Sequence, residues 1–178
     1  QEYKSNGAVS GTSGQSLRLE GINIKVSGNS NLGIQYTTHV QDYGWLPWSA
    51  NNEMSGTEGE SKRLEAIKIQ LTGKDKDFYD IYYRVHAQDY GWLDWAKNGA
   101  AAGTAGYSKR LEAIEIKIVE KGAPAPGAVT RPYVANGGSD QVTGATNTNI
   151  SYQTHIQKVG WQGLKYNGAM SGTRSEER

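Results

Sequence analysis

The sequence contains no cysteine, a single phenylalanine and only four prolines in 178 residues. Without cysteine there can be no disulfide framework and no thiolate metal site, although the compartment stays open. No run approaches the roughly 20 apolar residues that a membrane-spanning helix requires, so membrane insertion is not expected. An excess of one charge is missing too. Nineteen Lys and Arg stand against 18 Asp and Glu, for a net charge of +1. That balance gives no basic footprint for a nucleic acid. The phosphate-cradling pattern GxxxxGK is also absent. What is plentiful is Gly (23), Tyr (11) and Trp (5). Tyr and Trp combine an apolar face with a polar edge, which suits surfaces that meet polar ligands. They are equally good residues for strands.

Internal repetition organises the chain. Residues 44–71 and 91–118 match at 16 of 28 positions without a gap. A third start, GWQGLKYNGAMSGT, begins at Gly160. Gly-Trp precedes Gly-Thr by 12 residues at Gly44, Gly91 and Gly160. Gly-Thr precedes Arg-Leu-Glu by seven residues at Gly11, Gly56 and Gly103. All three histidines, His39, His86 and His155, occupy one slot, five residues before the Gly-Trp. Residues 1–17 align with 162–178, with eight identities. The chain therefore reads as a window from a longer array, with unit spacings of roughly 45, 47 and 69 residues. The expected division is 1–122 as two and a half tandem units and 123–149 as a Pro/Gly-rich linker or long loop. Residues 150–178 then start a further unit that completes the same domain. The matching ends predict self-association by exchange between molecules.

Alternation with a period of two marks the strands. Ile34, Tyr36, Thr38 and Val40 form one face of the first unit's strand. Ile81, Tyr83, Val85 and Ala87 follow suit, as do Ile150, Tyr152, Thr154 and Ile156. Each His then shares the polar face with the Gln two residues on. In RLEAIKIQL, Leu64 and Ala66 share one phase while Ile67, Ile69 and Leu71 take the other. This slip predicts a β-bulge between Ala66 and Ile67, repeated at Ala113–Ile114 and Gly21–Ile22. No helix is expected. One unit is too small to close a core, so the units must stack. The expected fold is all-β, three tandem units of roughly 45 residues. Closure with pseudo-threefold symmetry would give a β-trefoil or β-prism and remove exposed edges; an open solenoid is the alternative.

Taken together, Gly-Trp-x-x-Trp, Asn-Gly or Asn-Asn, and Gly-Thr-x-Gly-x-Ser-x-Arg-Leu-Glu-Ala-Ile resemble the clostridial hydrophobic repeat with a conserved tryptophan. The resemblance covers nearly all of the chain except the linker. The third unit departs from it, with Leu164 for the second Trp and Lys158-Val159 for Asp-Tyr. The family implies a secreted or surface-attached protein of Gram-positive bacteria, with a wall, sugar or host-binding role.

All five tryptophans, Trp45, Trp48, Trp92, Trp95 and Trp161, sit at the Gly-Trp loops. Sugars stack on aromatic rings while amides and carboxylates meet their hydroxyls. The loops supply Gln41, Gln88 and Gln157, Asp42 and Asp89, and Asn51 and Asn98. The first Trp of each unit is the better candidate for the core. The second, Trp48 and Trp95, is the better candidate for exposure and ligand contact. Threefold symmetry could gather the histidines into a zinc or copper site. A metal motif carries its ligand spacing locally, however, and one hydrogen-bonded His per unit is the plainer reading. No metal or cofactor is expected. Arg18–Glu20, Arg63–Glu65 and Arg110–Glu112 share strand faces and read as ion pairs. A glycosidase needs two carboxylates flanking one bond, whereas the acids here recur unit by unit. Repetition suits a binder that gains from several weak, equivalent sites. The expected function is non-catalytic, multivalent binding of a glycan or peptidoglycan by a secreted or cell-surface protein. A protein-binding adhesin module, for a host or surface protein, and a structural spacer are the alternatives.

Overall fold

A computed structural model describes residues 1–5 and 7–135 together with four two-residue strands of the C-terminal segment. The chain is all-β, and among the described residues its one helical element is a 3-10 turn at Lys76–Phe78. The alternating runs found in the sequence form the long strands. The first unit contributes β3 (Gly33–Val40) and β7 (Leu64–Thr72), and the second β8 (Tyr79–Ala87) and β12 (Leu111–Glu120). Shorter strands are β1 (Ser10–Gly11), β2 (Gly21–Ile22), β4 (Gly44–Trp45), β5 (Ser49–Ala50) and β6 (Ser55–Gly56). After β8 come β9 (Gly91–Trp92), β10 (Ala96–Lys97) and β11 (Ala102–Ala105), and after β12 comes β13 (Tyr133–Ala135). In each unit the two long strands pair antiparallel, and the Gly-Trp loop folds back so that its short strands pair with the first of them.

The inward phase of the long strands makes the core. Ile34, Tyr36 and Val40 of β3 meet Ile67 and Ile69 of β7, and Ile81, Tyr83 and Val85 of β8 join them with Leu111 and Ile114 of β12. Burying each such side chain contributes about 1.5–3 kcal/mol before the entropy of ordering is set against it. Tyrosine is tolerated here because its hydroxyl is satisfied. Tyr36 donates to the carbonyl of Glu53, and Tyr83 to that of Ala100.

A bulge is present in both long pairs, but one residue earlier than the hydrophobic slip predicts. His39 stands opposite Ala66 while Val40 stands opposite Leu64, leaving Glu65 as the extra residue. Likewise His86 faces Ala113 and Ala87 faces Leu111, leaving Glu112. Ala66 therefore does not share a face with Leu64. Leu64 joins the main core, whereas Ala66 packs on the other side with Ala101, Tyr133 and Trp45. The sequence signal was ambiguous because Ala66 fits either face.

Units are joined through the Gly-Thr segments. Gly56 pairs with Gly21, Gly103 with Ala66, and Gly11 with Ala113. Each approach is too close for a side chain. A Cβ on Gly103 would lie 2.4 Å from the Glu65 carbonyl oxygen, and its φ of +122° disfavours any L residue. The threonine that follows completes the joint, with the Thr57 N–H donating to the Glu20 carbonyl at 2.7 Å and Thr12 to that of Glu112 at 2.9 Å.

Residues 123–135 run back along the second unit. The Trp95 N–H donates to the Ala128 carbonyl, Gly103 to that of Pro132, and β13 pairs parallel with β11. Residues 145–178 form a separate unit. There β14 (Ser151–Tyr152) pairs with β17 (Lys165–Tyr166), and β15 (His155–Ile156) with β16 (Gly160–Trp161). His155 and Trp161 thus face each other across a strand pair, as His39 and Trp45 do. The side chains of His155, Gln157 and Trp161 lie outside the described residues.

Candidate functional site

The open end of each strand pair carries a recurring set of side chains. In the first unit it starts at the bulge. The extra residue turns Glu65 toward His39, and Oε2 lies 3.1 Å from Nδ1. The other carboxylate oxygen takes Arg63 at 2.9 Å, and Arg63 also donates to the Gln41 side-chain oxygen at 2.8 Å. The His39 ring then meets Trp45 edge-on, with centroids 5.5 Å apart. Gln41, Arg63, Glu65, His39 and Trp45 thus form one continuous line. Burial opposes the charge on Glu65, but the His39 and Arg63 side chains beside it outweigh that and hold the carboxyl below its usual range. The second unit repeats the pattern. His86 lies 3.1 Å from Glu112, Arg110 lies 2.8 Å from the same carboxylate, and His86 meets Trp92 edge-on at 5.5 Å.

Outside this line lies a charged rim. Asp42 and Asp89 sit in the left-handed region, with φ of 67° and 66°, at the turn before each Gly-Trp. Asp and Asn tolerate that conformation better than most residues. Asp42 takes Lys62, and Asp89 takes Lys109, each at 2.5 Å. Lys62 lowers the Asp42 carboxyl. The lysines are the partners that the sequence reading missed. Their signal was present, since a Lys precedes Arg-Leu-Glu in both complete units, 20 residues after the Asp. The rims then diverge. Tyr43 donates to Glu60 at 2.8 Å, whereas Tyr90 meets the Tyr107 ring at 6.3 Å.

The tryptophans are not equivalent. Trp45 and Trp92 are half-buried. Lys68 lies 4.4 Å from the Trp45 ring centroid. In the second unit Arg84 stacks on both Trp92 and Trp95, at 4.8 and 5.0 Å. Trp48 is 45% exposed, but Trp95 is only 5% exposed, against the expectation that both face solvent. The physical cause is the segment after β12. Gly127 lies against the Trp95 indole nitrogen. Asp94 clamps the segment by accepting from the Thr130 hydroxyl and the Arg131 N–H, both at 2.8 Å. The first unit has Pro47 where the second has Asp94.

Asn51 and Asn98 have a backbone task. Both lie at positive φ in their turns. The Asn51 side-chain oxygen accepts the Ile34 N–H at 3.0 Å, and that of Asn98 accepts the Ile81 N–H at 2.9 Å. Asn98 also donates to Asp80, a fully buried carboxylate held by Lys97 at 3.0 Å and Lys121 at 2.9 Å. The structure brings His39, Gln41 and Trp45 into one cluster, with Asp42 on the rim beside it. It does the same for His86, Trp92 and Asp89, while Gln88 is placed by its N–H on the Arg110 carbonyl. Among the described residues, no three His, Asp or Glu side chains converge as a metal site.

Comparison with curated proteins finds no match. Comparison with solved structures finds none either. The family model described as clostridial hydrophobic W matches four times, at residues 1–28, 39–73, 86–120 and 155–178. Those stretches hold the Gly-Thr joints, the His–Glu contacts and the Gly-Trp loops, and they cover more than half of the sequence. The chain belongs to the clostridial hydrophobic W repeat family.

Proposed function

We propose that this chain is a non-catalytic, multivalent binding module of a secreted or surface-attached protein, and that its ligand is a glycan of the cell-wall type. The observation that carries the reading is the exposed pair of rings on the first Gly-Trp loop. Trp48 is 45% and Tyr43 54% exposed, beside the Asp42–Lys62 pair. Apolar ring faces flanked by charged and hydroxyl groups match the alternating C–H and O–H surface of a sugar. The line from Gln41 to Trp45 is already in contact along its length, so little ordering is left for binding to impose. The polar line recurs at His86 and Trp92, which supports more than one site acting together, although the exposed ring of Trp48 has no exposed counterpart in Trp95.

The same reading includes a fold closed around a pseudo-threefold axis. The support is cyclic. The Gly-Thr joints pass from one unit to the next and return to the first. The leucines of the three Arg-Leu-Glu motifs are also linked, with Leu64 N–H donating to the Leu19 carbonyl and Leu19 N–H to that of Leu111, both at 2.8 Å.

A protein ligand is the second reading. It is favoured by Met54, 46% exposed on the same loop as Trp48, with its carbonyl bound by the Ser49 hydroxyl. A glycan array and a peptidoglycan pull-down with the unsubstituted chain and Trp48→Ala test the proposal. The expected result is sugar or wall binding that weakens at least tenfold in the variant. Binding to neither material would refute the glycan reading and turn the search to a protein.

A further inference from the structure

The two complete units diverge at one cross-strand pair beside the Gly-Trp loop. In the second unit Arg84 of β8 stands opposite Glu115 of β12, and the two form an ion pair at 2.7 Å. The Arg84 guanidinium also lies over two indole rings, 4.8 Å from the Trp92 centroid and 5.0 Å from that of Trp95. On this face the cation is compensated by its own acid, and both rings are engaged by the chain itself. In the first unit the corresponding pair is Thr37 and Lys68. Thr37 is short, and its hydroxyl donates to the Leu46 carbonyl at 2.6 Å. It does not reach out between the corresponding rings, Trp45 and Trp48. The position that holds the acid in the second unit holds a cation in the first. Lys68 is half-buried, with its ammonium 4.4 Å from the Trp45 ring centroid. Among the described residues no carboxylate pairs with it. An ammonium has three N–H donors and no acceptor. Stacking on a ring face takes water from one side of it and supplies no acceptor in return.

We infer that Lys68 determines the specificity of the first Gly-Trp loop, and that it selects a glycan carrying an anionic substituent, a carboxylate or a phosphate. The inference rests on the glycan reading proposed above and adds the charge of the ligand to it. A sugar ring stacks on the exposed Trp48, and its negative group meets the ammonium held over Trp45. Lysine acts as a point charge, so it receives either anion without the planar, two-bond geometry that Arg imposes. The nearby Lys62 does not supply this cation, because Asp42 already neutralises it at 2.5 Å. The second loop does not repeat the site. Its cation is committed to Glu115, and Trp95 is only 5% exposed. The two units therefore share the line from Arg to Trp and differ in charge selection.

Isothermal titration of the full chain tests the charge apart from the sugar. The probes are solubilised peptidoglycan fragments with free carboxylates, the same fragments after amidation of those carboxylates, and a glycerol-phosphate polymer. The unsubstituted chain should favour an anionic probe over the amidated fragments about tenfold, the scale of one charge-assisted hydrogen bond. Whether the native fragments or the phosphate polymer shows that preference assigns the anion. Lys68→Gln should reduce the preference to about twofold, and Lys68→Arg should keep it, since only the first removes the charge. Thr37→Arg combined with Lys68→Glu transplants the second unit's ion pair and should abolish the preference as well. Circular dichroism checks that each variant is folded. Equal affinity for all three probes in the unsubstituted chain overturns the anionic selection and leaves the glycan function standing. A preference that survives in Lys68→Gln overturns the role of Lys68. Failure to bind any of the three probes overturns both readings together.

Discussion

The Glu65 carboxylate reaches the His39 ring, at 3.1 Å, because one residue too many has been placed opposite the His. In a regular ladder the residue beside Ala66 would point to the opposite face. The bulge releases Glu65 from that alternation and lets it serve His39 and Arg63 together. It also exposes the Glu65 carbonyl oxygen, which lies against Gly103 of the next unit. One irregular residue therefore orients the polar line and provides the joint between units.

Replacing the carboxylate should separate charge from shape. Glu65→Gln is expected to cost roughly 2 kcal/mol, the scale of a buried hydrogen bond to a charged partner. The folded-state carboxyl lies below its usual range. Its contribution is therefore in place above the unfolded value of 4.5 and is lost as pH falls through the folded value. Urea unfolding of the two proteins across the acid range should show the substituted chain with the flatter pH dependence. Equal slopes would mean that His39 and Arg63 do not favour the ionised form.

Asp80 should act in the same direction and more strongly. Burial disfavours its charge, but Lys121, the Gly122 amide, Asn98 and Lys97 more than overcome that and hold it well below the usual carboxylate range. Stability should fall as pH drops below 3.8. Asp80→Asn should lose about 2–3 kcal/mol near neutral pH, since one buried acceptor serves two lysines and a backbone amide. The corresponding residue in the first unit is Gly33, so Gly33→Ala provides a steric comparison without charge. Thermal melts at several pH values are the measurement.

At the joints, side-chain volume should be intolerable. Gly103→Ala places a methyl 2.4 Å from the Glu65 oxygen at a φ of +122°. Left-handed strain and displaced backbone together should cost about 3 kcal/mol or more. Gly59→Ala is the control, since its φ is also positive but nothing lies within 4 Å of the added carbon. Its cost should stay near 1 kcal/mol, the strain of the left-handed conformation alone. Similar losses for both would show that the close approach is unimportant.

Trp95 and Trp48 should part company. Trp95→Ala is expected to cost about 3–5 kcal/mol, as for a buried aromatic, while Trp48→Ala should stay within about 0.5 kcal/mol. Asp94→Ala removes the clamp on residues 130 and 131 and should shift tryptophan emission to the red. Chemical denaturation and fluorescence report these directly. An unchanged spectrum would show that the cover over Trp95 holds without Asp94.

The strands were legible because Ile34, Tyr36 and Val40 alternate cleanly and recur at Ile81, Tyr83 and Ala87. The bulge was legible as a slip, but its position was not, since alanine carries too little hydrophobic signal to assign Ala66 to a face. The candidate cluster of His, Gln, Asp and Trp was visible as recurring residues at fixed spacing. The burial of Trp95 was not, because its cover comes from residues 127–131, which belong to no repeat. Asn51 and Asn98 read equally well as ligand contacts or turn residues; only the positions of their oxygens relative to Ile34 and Ile81 reveal the backbone role.

The pairing of Gly11 with Ala113 sets a condition on how the chain reaches its native state. The two other joints close over roughly forty residues, but this one must bring together segments about a hundred apart, at a higher entropic cost. Local strand pairs can form early, while the pairing of β1 with β12 waits for the two complete units to be in place. Folding speed should therefore track the length between these two segments, and residues inserted in the loops of either unit should slow refolding more than they hasten unfolding.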